Sequence, residues 1–517
     1  MTDCFEQKCT VTENDTLGSV SYNIPCSKGI DQNIERRFDK GKSIRFVTAS
    51  KNIRAGEEIL YEKPVLITPH WDSNLVCSKC YHPSLKICQK CNVFPLCNNC
   101  VQHGSFECNF FQEHTDISRN LLVENFKLFG PVRFLLFLEN PLNDGYFNEI
   151  LKMESHLNNR KNSDVWKLLE EGVVQPLKKS GMGKYLKKCN ILESDFIQKI
   201  CAIFDVNMFE VRGPREDSLR ACFMKACLFA HSCIPNIAVA VDDEYEMKVY
   251  ATTNIKEGDI LYYNYTTPFL GSNERRKQLM LGKYFTCKCP RCEDPTELGS
   301  YISAIKCIKC IEDNCAEYGY VLNYGDNKWM CDQCSKITPY KEIEEYLVNI
   351  GKQVDDAQGD ICKMEMLLLT LAEHLHDHHY FILDLKQNIA AILRSMCDDS
   401  KYTGCKGHMR RKLQLCEQIL PILRIILPGI SRIKGIALFE YYRPIIELAR
   451  LEEDGGDHHH LNELLKAEKI LREAYLMLKY EPEKSPEGLL AQQIFTEIET
   501  LKVDIKAARE KVSKNKV

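Results

Sequence analysis

Between residues 77 and 108 the chain reads CSKCYHPSLKICQKCNVFPLCNNCVQHGSFEC, with three Cys-x2-Cys pairs in 24 residues. The chain carries 27 cysteines, and its first residues, MTDCFEQKCT, lack the basic-then-apolar pattern of a secretory signal. The expectation is a reducing compartment, where grouped cysteines bind zinc rather than pair as disulfides. Cys77, Cys80, Cys88, Cys91, Cys97, Cys100, His103 and Cys108 make eight donors, enough for two tetrahedral sites. The expected pairing is interleaved. Cys77, Cys80, Cys97 and Cys100 hold one ion, and Cys88, Cys91, His103 and Cys108 the other, with His114 as an alternative to His103. No ligand position is left for water, so both sites read as structural.

Two further groups follow. FTCKCPRCEDPTELG supplies Cys287, Cys289 and Cys292, one donor short of a closed site. The fourth must come from elsewhere in the chain, and Cys233 is the candidate. Cys307-x2-Cys310 and Cys331-x2-Cys334, twenty residues apart, have the spacing of a four-cysteine zinc ribbon, with Cys315 as a spare donor. These assignments use fifteen cysteines and one histidine, and leave twelve scattered cysteines without a role.

The rest of the chain sorts by texture. Its 517 residues are enough for two to four domains. Residues 1–34 are polar and aperiodic and read as a tail. Short β-like runs occupy 35–70 and return over 205–270, in NIAVAV, EYEMKVYATT and DILYYNYTT, with KEGD (256–259) as a turn. Between them lie the cysteine-dense segment 77–108 and helical patterns over 115–204, such as FKLFGPVRFLLFLEN. The simplest topology is one β domain interrupted by an insertion. Zinc motifs fill 271–335, and 336–517 reads as helices. Leu413, Cys416, Leu420, Leu423 and Leu427 make one apolar stripe, Pro428-Gly429 should end that helix, and Leu464, Leu471 and Leu478 continue the pattern later. Such stripes pack helix on helix. A net charge of −4 gives no basic field for nucleic acid, and no apolar run is long enough to predict a membrane span.

One stretch packs several chemical residue types together: FAHSCIPN, residues 229–236. Taken with the eight-donor finger, HSCIPN (231–236), GDILYYNYT (258–266), RRKQL (275–279) and the Cys-x-Cys-x2-Cys set, the chain resembles the SMYD family of SET-domain protein methyltransferases that carry a MYND zinc finger. DPTELG and LPGISRIKG (427–435) resemble its arthropod SmydA branch. The resemblance implies an α+β fold: a knotted, β-rich SET domain split by a MYND finger and a helical insertion, then post-SET zinc motifs and an all-α C-terminal domain. It implies S-adenosyl-L-methionine as cofactor beside structural Zn2+, and a lysine entering a narrow channel from the opposite face. Tyr265 matches the catalytic tyrosine, and Tyr263 lines the site near it. Phe285 matches an aromatic near cofactor and channel, and His231 matches a residue whose backbone approaches the adenine. Cys233 matches the fourth ligand of the post-SET zinc. Gly41, Lys42, Ser43 and Ala230 fall at further cofactor-binding positions.

Three of those positions depart from the family pattern. Ala230 stands where an asparagine amide contacts the cofactor. Ser43 replaces the second glycine of an early Gly-x-Gly, adding a Cβ where backbone should approach. Lys283 stands where the second channel tyrosine precedes the post-SET cysteine by four residues, with Tyr284 displaced by one. Losing one hydrogen bond and stranding its partner costs roughly 1–3 kcal/mol, about 5- to 150-fold in affinity. Two readings follow: a protein-lysine N-methyltransferase acting on a histone or another protein, or a zinc-stabilised scaffold of little or no activity. Either way the partners are proteins, met through the finger and the helical C-terminal domain, in the cytoplasm or the nucleus.

Overall fold

Two strands written just before residue 70 find their partners after residue 208. Glu58–Glu62 pairs antiparallel with Met247–Ala251, which pairs in turn with Ile237–Val241. Leu66–Pro69 pairs with Ser218–Cys222, itself paired with Phe209–Arg212. Everything from 70 to 208 is therefore inserted into a set of small sheets. The structure, a computed structural model, describes residues 17–19, 34–39, 44–117, 121–215, 218–313, 318–325, 328–398, 406–451 and 456–514. Alternation in the strands buries one face: Val47, Ile59, Leu60, Val239, Val249, Phe223 and Phe229 form a single apolar core. A third sheet joins Leu17–Ser19, Ile34–Asp39 and Ile44–Ala49, so part of the segment expected to be a tail is paired.

The insertion is helical. Phe129–Glu139 is its centre, buried on nearly every side, and Ser194–Asn207 packs across it. Finger and insertion share one core, in which Cys77, Cys88 and Cys91 lie among Phe94, Phe111, Phe129 and Phe134. After residue 300 the strands Ile305–Lys306, Tyr320–Asn323, Trp329–Cys331 and Ile337–Thr338 make a small antiparallel sheet.

The remaining chain is helices: Tyr340–Ala357, Ile361–Ala372, Tyr380–Asp398, Lys406–Ile426, Arg432–Leu451, Gly456–Leu478 and Pro486–Lys514. Each packs mainly on the next in sequence, as in a stacked array. Cys416, Leu420, Leu423 and Leu427 are buried, as are Leu464, Leu471 and Leu478. No described helix is long and apolar enough to cross a membrane. The fold class is thus α+β.

The helical region docks on the β core through the segment that follows Ile426. Gly429 has φ +73°, and a Cβ there would lie 2.0 Å from the Thr252 carbonyl oxygen. That close approach lets Ile430 N–H reach the same carbonyl at 2.8 Å. Arg432 donates to the Val239 carbonyl at 2.7 Å, and Tyr480 stacks on Tyr250 with ring centroids 5.0 Å apart.

Candidate functional site

The HSCIPN segment crosses beneath the strand end at 260–265, and polar contacts fix the crossing. Asn236 Nδ2 donates to the Ile260 carbonyl at 2.9 Å, and its Oδ1 accepts the Tyr262 N–H at 2.7 Å. The pinned backbone runs parallel to Ala230–His231, so that Tyr262 faces Ala230 and Tyr263 faces His231. Sequence reasoning quoted Asn236 but gave it no task. Its side chain does the work of a missing strand neighbour.

His231 joins two functions. Its Nδ1 accepts the Tyr265 backbone N–H at 3.0 Å, which puts the ring proton on Nε2, and Nε2 lies 3.4 Å from Cys233 Sγ. Burial pushes the imidazole down to about 4, so the ring is neutral near pH 7 and can accept at one nitrogen while donating at the other. The Tyr265 hydroxyl donates to the Phe229 carbonyl. Tyr265 is therefore held at both ends by the segment 229–231. Its ring lies 5.1 Å from His231 and 6.1 Å from Tyr263, and Phe285 lies 5.8 Å from His231 on the other side. Burial raises both phenols, so Tyr263 and Tyr265 stay un-ionised. Between them Asn264 Oδ1 accepts from Thr266, while its Nδ2 is buried with no partner. A buried amide donor without a partner suits a polar ligand. Ala230, half-buried opposite Tyr262, offers no polar side-chain atom. Gly41, Lys42 and Ser43 lie outside the described residues.

The metal donors gather in four sets, each with its ligand atoms within 4.8 Å of one another. They are Cys77, Cys80, Cys97 and Cys100; Cys88, Cys91, His103 and Cys108; Cys233, Cys287, Cys289 and Cys292; and Cys307, Cys310, Cys331 and Cys334. Four sulfur or imidazole donors per set fit tetrahedral zinc. His114 stacks on Tyr185 at 3.7 Å and belongs to no set, and Cys315 lies outside the described residues.

Charged side chains behind these donors escaped the sequence reading. His103 Nδ1 donates to Glu107 at 2.8 Å, leaving Nε2 toward the other donors. Burial would raise the Glu107 carboxyl, but Arg133 and His103 hold it down, at about 2. Arg133 forks onto Glu107 at 2.8 and 3.1 Å and donates to the Ser78 and Ile67 carbonyls at 2.8 and 3.2 Å, so one guanidinium ties finger, insertion and strand together. At the third set Arg275 places Nε 3.2 Å from Cys233 Sγ and Nη2 3.3 Å from Cys292 Sγ. Glu297 then receives Arg275 at 2.7 Å and Arg291 at 3.2 Å, all three side chains being buried. RRKQL contains Arg275 and DPTELG contains Glu297, but nothing in a sequence aims a side chain at a sulfur 42 positions away.

Residues 45–266 match the SET domain family. The SET domain-containing protein SmydA-8, isoform B, of Drosophila melanogaster is 26% identical over 430 residues, covering 78% of this chain and 89% of its own. The SET domain and MYND-type zinc finger protein 6 of Schizosaccharomyces pombe is 27% identical over 268 residues, half of each chain. A solved SET domain of LSMT bound to lysine and AdoHcy aligns over 92% of this chain at 11% identity, but with a TM-score of 0.29 the likeness supports no argument.

Proposed function

For a chain that belongs to the SMYD family of SET and MYND proteins, in its SmydA branch, we propose the activity of an S-adenosylmethionine-dependent protein-lysine N-methyltransferase. The observation that carries this reading is Tyr265, fixed at its backbone by His231 and at its hydroxyl by Phe229, with Tyr263 and Phe285 beside it. The cofactor, when bound, supplies a methyl group already activated on a sulfonium. What the chain must add is alignment, exclusion of water and a neutral amine. Tyr263 and Tyr265 give an apolar wall whose hydroxyls stay protonated. Asn264 Nδ2, between the two tyrosines in the chain, is a buried donor without a partner, and His231 fixes the strand end on which both tyrosines ride. Zinc in the four sets would hold the framework without touching the reaction.

The second reading, a scaffold that binds partner proteins through the finger and the helical region, rests on Ala230. Calorimetric titration with S-adenosylhomocysteine separates the two. Wild type is expected to bind, and Ala230→Asn to bind about 5- to 30-fold tighter, the effect of one added hydrogen bond. Labelled methyl transfer to an extract is expected from wild type and not from Tyr265→Phe. A folded protein that takes no cofactor would sink the enzyme reading and leave the scaffold.

A further inference from the structure

The helix Ser272–Lys283 ends with an inward turn. Tyr284, at φ +58°, caps it in the left-handed region and lays its ring near His156, 5.3 Å away. That cap sends Tyr284 outward and leaves Lys283 facing the site. Its Nζ lies over the Tyr265 ring, 5.4 Å from the centroid, and donates to the Val206 carbonyl at the end of Ser194–Asn207. No carboxylate pairs with it among the described residues. Asp205, which acts on it through space, is engaged by Arg160 and Arg220, each at 2.7 Å. An aromatic face and a carbonyl acceptor, without a counter-charge, are what a site for a lysine amine provides.

The chain on either side of Lys283 borders a cavity of about 480 Å³. Leu281, Gly282 and Tyr284, which bracket Lys283 in the chain, line it, together with Phe204, Asp205 and Arg220. Trp71, Leu168 and Leu281 are exposed at its edge. Lys283 thus lays its amine on Tyr265 while its chain neighbours Leu281, Gly282 and Tyr284 line a largely apolar groove.

We propose that Lys283 fills the seat of the substrate lysine, as a built-in occupant that an incoming lysine from the groove must displace. The proposal rests on the methyltransferase reading of Tyr265 and adds a specificity-determining residue to it. Burial and the neighbouring Arg220 push the amine down to about 8, with Asp205 and Cys227 pulling the other way, so its charge is readily given up. His156 is itself pushed down by burial and adds little positive charge near pH 7, and Tyr265 is pushed up by burial and stays neutral. An ammonium that can lose its proton in place can be displaced without leaving a buried charge behind.

Two measurements test the placement and the role. Competitive acylation of wild-type amines, with no cofactor present, reads the placement. Compared at a pH where both amines are neutral, Lys283 is expected to react at least about tenfold more slowly than exposed Lys288, and its midpoint to lie below that of an ordinary lysine. Labelling at the Lys288 rate with an ordinary midpoint would put the amine in solvent and overturn the proposal. The role is read with Lys283→Met, which keeps the length and removes the amine, and with Lys283→Gln as a second variant should the first not fold. With labelled S-adenosylmethionine and a random peptide mixture centred on lysine, transfer is expected to rise about tenfold or more over wild type, the scale of one lost desolvated cation–π contact. Unchanged transfer by a variant that binds S-adenosylhomocysteine as wild type does overturns the occupant and spares the enzyme reading. Failure of wild type and variants alike to bind S-adenosylhomocysteine removes the enzyme reading, and this proposal with it.

Discussion

An arginine with no exposed surface needs a reason to be inside, and Arg275 has one. Four thiolates on Zn2+ carry two net negative charges into a region of low dielectric. Arg275 sets two N–H groups on two of those sulfurs and a third on Glu297. Glu297 in turn lets a second buried cation, Arg291, sit nearby. Arg275→Met removes the offset and leaves the sulfurs with fewer donors, so zinc affinity is expected to fall roughly 10- to 100-fold. Breaking the buried pair should also cost about 3–5 kcal/mol. Zinc release to a chromogenic chelator and a denaturant titration read the two effects, and an unchanged release rate would count against the outer shell. This residue also marks the limit of what the sequence discloses. The ten cysteines in Cys-x2-Cys pairs and the Cys287, Cys289 and Cys292 run announce their chemistry by spacing, and the structure gathers the same groups. Arg275, Glu107 and Glu297 look like surface charges, because an acid or base is usually exposed and its burial is decided by distant parts of the chain. Lys283 was visible as a departure from a pattern, but the direction of its side chain depends on the left-handed cap at Tyr284.

At the scale of elements, pairing rather than propensity decided what the eye could find. NIAVAV and EYEMKVYATT became the paired strands Ile237–Val241 and Met247–Ala251 because both have a sheet neighbour. DILYYNYTT has equal β texture, yet only Tyr262–Tyr263 is strand: its first residues make an isolated bridge to Thr48, and Asn236 takes the Ile260 carbonyl and the Tyr262 N–H. The docking segment LPGISRIKG shows the opposite case, a loop whose sequence is explained by a single approach. Gly429→Ala would place a methyl group against Thr252 at a positive φ, and should destabilise by more than about 1 kcal/mol. Gly145→Ala is the matched comparison: it lies in the helix Asp144–Leu151 with nothing within 4 Å of the new Cβ. It is expected to stabilise by about 0.5–1 kcal/mol. Thermal midpoints that move together, in either direction, would contradict the close packing assigned to Gly429.

Across the whole molecule, metal and hydrophobic packing divide the support unevenly. The four donor sets among the described residues all lie between 77 and 334. The core of the last four helices, built from residues such as Leu423, Leu438, Leu471 and Ile498, contains none of these donors. A third situation lies between them: Ile343, Leu347 and Leu371 share a core with Cys307, Cys310, Cys331 and Trp329, so the first helices of the C-terminal region lean on the ribbon. Elemental analysis is therefore expected to find four zinc ions per chain. A strong chelator should act in proportion to these dependences, because closed thiolate sites contribute directly to folding. The sheets and finger should lose their fixed packing, helices 340–398 should become exchange-competent, and helices 406–514 should stay protected. Far-UV circular dichroism would then keep much of its helical signal while amide hydrogen exchange rises sharply below residue 335 and moderately to residue 398. Uniform exchange along the chain after chelation would show a single cooperative unit, in which the docking contacts of Gly429, Arg432 and Tyr480 transmit the loss of metal to every helix.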